Sequence, residues 1–141
     1  MRRKARAVWI GGLRDGGGLL STTNGALHNA EYSFSTRFEQ DFGTNPEEMI
    51  GAAHASCFAM TLSALLGEAG LAPERIATTA TVRLENADAG FTITEIHLDV
   101  SAKVAGASAQ VFEATALTAK DSCPISRLIN AKITLDARLE G

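Results

Sequence analysis

Most features that would tie a chain to a large partner are scarce in this 141-residue sequence. Its formal net charge is −3 and no basic block follows Met1-Arg2-Arg3-Lys4, so the electrostatic footprint of a nucleic-acid-binding protein is missing. Aromatic residues make up only 6% and are scattered, which leaves no stacking platform for bases. The residues after the basic start, Ala5 to Ile10, are too few and too interrupted for the apolar region of a signal peptide. The best hydrophobic stretch, Ile50 to Leu66, is broken by His54, Ser56, Thr61 and Ser63 and falls short of the ~20 apolar residues of a membrane span. The expectation is a cytoplasmic chain with neither nucleic acid nor membrane as a partner. Its length suits a single domain, 1–141, with a modest core. Cysteine is scarce too: Cys57 and Cys123 show neither the CxxC spacing of a zinc or thioredoxin site nor the density of a secreted disulfide scaffold.

What is present is a change of period along the chain. Residues 3–10 alternate charged and apolar and close on Gly11-Gly12, Leu19 to Thr23 reads as a second strand, Asn24-Gly25 as a tight turn, and Ala30 to Thr36 as a third strand. The glycines of Gly16-Gly17-Gly18 form a flexible corner rather than a phosphate cradle, because no lysine or helix start follows them. An antiparallel meander is therefore expected first. Thr44-Asn45-Pro46-Glu47-Glu48 then reads as a helix start: Asn45 caps, Pro46 suits the first helical position, and the two acids suit the positive end of the dipole. The run from Met49 to Glu68 is apolar or small on nearly all sides, which predicts a long buried central helix. After Pro73 the period returns to two over residues 79–85 and, less strictly, over 91–100, with Asp88-Ala89-Gly90 as the hairpin corner. Helical spacing over 108–120, a short helix over 124–130 and a last strand along Ile133, Leu135, Ala137 and Leu139 complete an α+β order.

Cys57 falls in the middle of the buried helix, where burial raises a thiol pKa and a thiolate needs a cation from elsewhere in the fold. The candidates are Arg37, just before the helix, and Arg14, in the glycine-rich corner; a guanidinium stays charged when desolvated and can hold a thiolate and a carboxylate in one fork. Glu47 is the carboxylate that could hold it. Glu47 lies ~80° around and ~15 Å along the helix from Cys57, so it cannot touch that cysteine in its own chain. Either two central helices cross in a dimer or the arginine bridges the gap. Ser122-Cys123-Pro124 places Cys123 at the cap of a short helix, where free amide groups and the dipole lower a thiol pKa. His54 reads as a packed core histidine rather than a metal ligand, since no second ligand follows at helical spacing, and His28 and His97 carry no assignment.

The run Thr44-Asn45-Pro46-Glu47-Glu48-Met49-Ile50-Gly51-Ala52-Ala53-His54-Ala55-Ser56-Cys57-Phe58, joined to Ser122-Cys123-Pro124-Ile125-Ser126, resembles the family of osmotically induced protein C and the organic hydroperoxide resistance proteins. The resemblance implies an intertwined α+β homodimer, with a six-stranded sheet per subunit around central helices and two active sites at the interface. It implies peroxide reduction without metal or organic cofactor: Cys57 attacks the hydroperoxide, becomes a sulfenic acid, and condenses with Cys123 to a disulfide that a dithiol, lipoyl-type or other, reduces. In the family an arginine and a glutamate activate the attacking thiol, and Glu47 matches the glutamate. Thr36-Arg37-Phe38-Glu39 is similar to the osmotically induced branch, whereas Arg14-Asp15-Gly16 is similar to the other; Arg37 and the first branch are preferred. The competing readings are a binding module for a hydrophobic ligand, with incidental cysteines, and, ranked last, a metal protein using His54, Cys57 and Cys123.

Overall fold

The alternation at the N-terminus does form a meander. In the computed structural model, which describes all residues 1–141, β1 (Ala5–Ile10), β2 (Gly17–Thr22) and β3 (Ala30–Tyr32) pair antiparallel in chain order. Gly18 lies where the Trp9 and Tyr32 rings stand 5.5 Å apart, and a Cβ there would run into Tyr32 and come within 2.9 Å of Trp9. The third strand is shorter than its sequence pattern predicts. It stops at Tyr32 because Ser33 and Thr36 form a reciprocal capping box: Thr36 N donates to Ser33 Oγ at 3.3 Å and Ser33 N to Thr36 Oγ1 at 2.8 Å. Residues Phe34–Phe38 form α1 instead.

The capping residues of the long helix α2 (Pro46–Glu68) act as their types predict. Asn45 Oδ1 accepts from Glu48 N at 2.8 Å, and its Nδ2 donates to Thr36 O at 3.1 Å, which ties the start of α2 to α1. Gly43, at φ +143°, permits the close turn between them, since a Cβ would lie 2.7 Å from Thr36 Cγ2 and 2.9 Å from Glu31 O. β1 to β3, α1 and the first turn of α2 belong to one compact unit, 1–49, and the rest of the chain, 50–141, forms a second.

In the second unit β4 (Pro73–Ala87) and β5 (Gly90–Val104) make a long hairpin. β5 continues through α3 (Ala109–Ser122) and α4 (Pro124–Leu128) into β6 (Lys132–Leu139), which pairs parallel with β5 as a helical crossover allows. β5 is thus the central strand. Its buried residues are Ile96, Leu98, Val100, Ala102 and Val104, whereas the apolar residues near its start, Phe91 and Ile93, have the opposite parity. The register explains the switch: Arg83 pairs with Glu95 and Leu84 with Ile93, so Thr94 is an extra residue that flips the faces of the strand. The six strands fall into two three-stranded sheets, β1-β2-β3 and β4-β5-β6, rather than the single six-stranded sheet that the family resemblance implies.

α2 buries one stripe, Gly51, His54, Phe58, Leu62 and Leu66; of these Phe58, Leu62 and Leu66 share one core cluster with the buried residues of β5 and with Phe112, Ala116, Ala119 and Cys123, while Gly51 lies against Val82 and Ala80 of β4. Burial is narrower than the helix composition predicts: Met60 is 76% exposed, because one chain supplies a single covering face. The helix runs unbroken through His54, Ser56, Thr61 and Ser63, with a mean hydropathy of 1.6 over its best 18 residues, so length and composition alone do not separate it from a membrane span. Within this chain one stripe of the helix is buried. Leu62→Ala, in the middle of that stripe, is expected to cost about 2–5 kcal/mol, measured by urea unfolding; a loss below about 1 kcal/mol would place the core elsewhere.

Candidate active site

Cys57 flanks the buried stripe next to Phe58 and is half-buried, and Cys123 is fully buried at the joint between α3 and α4. The local chemistry makes that joint sharp. Cys123 N donates to Ala119 O at 2.9 Å, ending α3, and Cys123 O accepts from Arg127 N at 3.0 Å, with Pro124 opening α4. Both cysteines are reduced, and the Cys123 thiol lies within hydrogen-bonding reach of the Cys57 sulfur. Two residues distant in sequence therefore share one site.

The short helix serves the other cysteine from the one the sequence points to. Cys123 makes no side-chain bond to the amides of α4; instead the Ile125 N–H is directed at the Cys57 sulfur. Burial is the largest influence on Cys57 and pushes its thiol up. The Ile125 N–H pulls it down, the Cys123 thiol raises it again, and the Thr61 hydroxyl, one turn further along α2, lowers it. The net direction is up, and none of these groups is a cation. His54 does not supply the charge either. It is fully buried, burial pushes its pKa down, and its Nε2 is 2.7 Å from Ser126 Oγ.

In the unit formed by residues 1–49 a second pair is made. Arg37, in the last turn of α1, donates to Glu47, in the first turn of α2, from Nη2 to Oε1 at 2.7 Å and from Nε to Oε1 at 3.1 Å and Oε2 at 3.3 Å. This fork geometry holds the guanidinium plane in place. The Asn45 bridge between α1 and α2 sets the spacing that permits it. Arg14 is engaged differently, over the Phe34 ring at 4.5 Å. Beside Arg37 lies a cavity of about 310 Å³ walled by Trp9, Leu13, Phe34, Phe38 and Pro46. The scattered aromatics of the sequence are thus gathered: Phe34 and Phe38 stand 4.9 Å apart, and Trp9 meets Tyr32. No group of three or more His, Cys, Asp or Glu side chains is arranged to hold a metal ion.

Sequence reasoning missed the Ile125 amide, the Thr61 hydroxyl and the aromatic cavity. Thr61 was open to view at i+4 from Cys57; the other two depend on which elements meet. The four residues singled out from the sequence form two pairs, Cys57 with Cys123 and Arg37 with Glu47.

An α+β fold that sets two reduced thiols in contact, one of them facing a helix N-terminus, defines a dithiol redox protein. Comparison with known proteins narrows the class. The family model for OsmC-like proteins matches residues 38–138, and the chain belongs to that family. It is 49% identical over 141 residues, 100% of this chain and 99% of the relative, to "Peroxiredoxin OsmC" of Escherichia coli (strain K12), and equally to that of Shigella flexneri. The fold is also that of an OsmC-like protein of unknown function from Vibrio cholerae (TM-score 0.79, 16% identity, 98% of this chain and 99% of that one). The organic hydroperoxide resistance protein of Bacillus subtilis shares it as well (TM-score 0.70, 19% identity, 97% and 98%).

If the Thr61 hydroxyl stabilises the thiolate, Thr61→Val should raise the Cys57 pKa in a Cys123→Ser background. The measurement is thiolate absorbance against pH. Alkylation at neutral pH should slow roughly threefold, because less thiolate is present below a raised pKa. An unchanged titration would remove Thr61 from the site.

Proposed function

We propose that this chain is a thiol-dependent peroxidase that reduces hydroperoxides, organic ones by preference, as a cytoplasmic homodimer in defence against oxidative and osmotic stress. The observation that carries the reading is the contact of two reduced thiols at the N-terminus of α4. The Cys57 thiolate attacks one peroxide oxygen; an S–O bond forms, the O–O bond breaks, and the alkoxide leaves and takes a proton to become the alcohol. The Cys123 thiol gives up its proton and attacks the sulfur of the Cys57 sulfenic acid; the S–S bond forms, the S–O bond breaks, and the departing hydroxide takes up a proton to become water. An external dithiol, lipoyl-type or other, returns both thiols. No cofactor is required.

Arg37 is the cation in this reading, held by Glu47, and it stabilises both the thiolate and the departing oxyanion. Its fork on Glu47 supports this choice over Arg14, which stacks on Phe34. The apolar cavity beside Arg37 supports an alkyl hydroperoxide over hydrogen peroxide, since its walls suit a hydrocarbon tail. The open apolar face of α2 around Met60, together with the exposed β1, supports an intertwined dimer. In this reading residues 1–141 are a single domain, which the alignment of a relative over the whole chain supports. A hydrophobic-ligand binding module could use the same cavity, but it gives the paired thiols no purpose.

Cys57→Ser should abolish peroxide consumption, whereas Cys123→Ser should allow one turnover and leave a sulfenic acid that a diketone traps. Sustained turnover by Cys57→Ser would overturn the assignment. Arg37→Ala should raise the Cys57 pKa and slow peroxide reduction at neutral pH by at least tenfold, Arg37→Lys should rescue only in part, and Arg14→Ala should change neither. A shift with Arg14→Ala alone would move the activating role to the glycine-rich corner. Mixing Glu47→Ala with Cys57→Ser under subunit exchange tests the dimer: one intact site per heterodimer restores part of the activity if the site is shared, and no recovery despite proven exchange places it within one chain.

A further inference from the structure

The two cysteine-bearing helices are joined by a polar contact that uses neither sulfur. His54 Nε2 on α2 lies 2.7 Å from Ser126 Oγ on α4, with His54 at 0% and Ser126 at 7% exposure. His54 stands three residues before Cys57 and Ser126 three residues after Cys123, so the bond runs beside the sulfurs about one helical turn away. The ring's other nitrogen, Nδ1, is buried with no partner. Leaving it as a bare acceptor costs less than burying an unpaired N–H, so Nε2 carries the proton and donates to Ser126. A buried polar group that spends its single bond on the neighbouring helix fixes that helix firmly, since losing the partner would strand it.

Ile125 and the adjoining Ile129 pack α4 against the core, but apolar contact sets its angle less sharply than a polar tie, and its polar ties are few. It spans only Pro124–Leu128, and its N-terminus has no side-chain cap. Its other polar tie to α2, Ile125 N–H to the Cys57 sulfur, involves the atom that reacts. Once Cys57 carries an oxygen, that tie changes, and Cys123 must still approach the same sulfur in line with the bond that breaks. The His54–Ser126 bond is unaltered by the chemistry.

We propose that His54 and Ser126 are positioning residues for the second step, holding α4 against α2 so that Cys123 closes on the oxidised Cys57. The proposal rests on the peroxidase reading above and adds a division of labour: Arg37 and Glu47 serve peroxide attack, and the His54–Ser126 bond serves disulfide closure. A thiol kept at a fixed approach to its target gains a high effective concentration, and loosening the helix lowers it. A slow closure leaves the sulfenic acid open to a second peroxide, which carries it to sulfinic acid.

The test separates the two steps in single-turnover, acid-quenched experiments on the full chain with an alkyl hydroperoxide. Sulfenic acid formation is followed by peroxide loss and closure by mass after alkylation. Ser126→Ala and His54→Ala should keep the first step within about threefold and slow closure roughly tenfold. Sulfinic acid should then accumulate when peroxide is in excess. His54→Gln puts an amide N–H near the place of Nε2 and should restore most of the closure rate; should His54→Ala fail to fold, Ser126→Ala and His54→Gln carry the comparison. Closure at the wild-type rate in Ser126→Ala, or both steps slowed in parallel with no rescue by His54→Gln, would overturn the positioning role while leaving the peroxidase intact. A wild-type chain that reacts with peroxide and forms no Cys57–Cys123 disulfide would overturn both.

Discussion

The burial of one stripe of α2 in the core it shares with the β4–β5 hairpin places nearly everything else in residues 50–141. Gly51, His54, Phe58, Leu62 and Leu66 recur at the spacing of a helix face, and the even-numbered residues of β5 from Ile96 to Val104 oppose them. Gly51 instead faces the neighbouring strand β4, where a Cβ would stand 3.4 Å from Val82 Cγ2 and 3.5 Å from Ala80 O. Once that stripe is buried, Cys57 must lie at its edge, half in and half out. A thiol there is desolvated enough to be costly to ionise and open enough to react.

The polar groups around the site follow from that cost. Burial raises the Cys57 thiol, so each group that lowers it matters, and two do so within the unit: a backbone N–H freed by the start of α4 and a hydroxyl one helical turn along. Neither overcomes the desolvation. Within residues 1–49 a guanidinium is fixed by a carboxylate, Arg37 on Glu47, and Arg37 of that pair is the cation proposed above for the remainder. The cavity beside that pair joins a charged group to an apolar wall.

Strand and helix order were legible because hydrophobic period is a local property, and so were the helix start at Asn45-Pro46 and the break at Gly90. Where the reading stopped short, a specific competitor won. The third strand ended early because Ser33 and Thr36 satisfy each other's backbone, a signal present in the letters as S-x-x-T. The loose apolar pattern of residues 91–100 reflects a bulge at Thr94, which reverses parity and so cannot fit one alternation. The parallel placement of β6 beside β5 left no trace in either strand's own pattern.

For the site the division is similar. The sequence by itself determined which side chains have the right chemistry, two thiols, an arginine and a helix-start glutamate, and it located each at a helix start, a helix cap or a helix interior, because those positions are set by neighbours a few residues away. It also matched a family motif long enough to indicate the reaction. Only the tertiary structure decided that Ile125 N–H faces Cys57 rather than Cys123, that Arg37 and not Arg14 grips Glu47, and that His54 reaches Ser126. The physical reason is that hydrogen bonds and desolvation depend on distances of a few ångströms between elements far apart in the chain, and those distances are set by how the apolar faces pack.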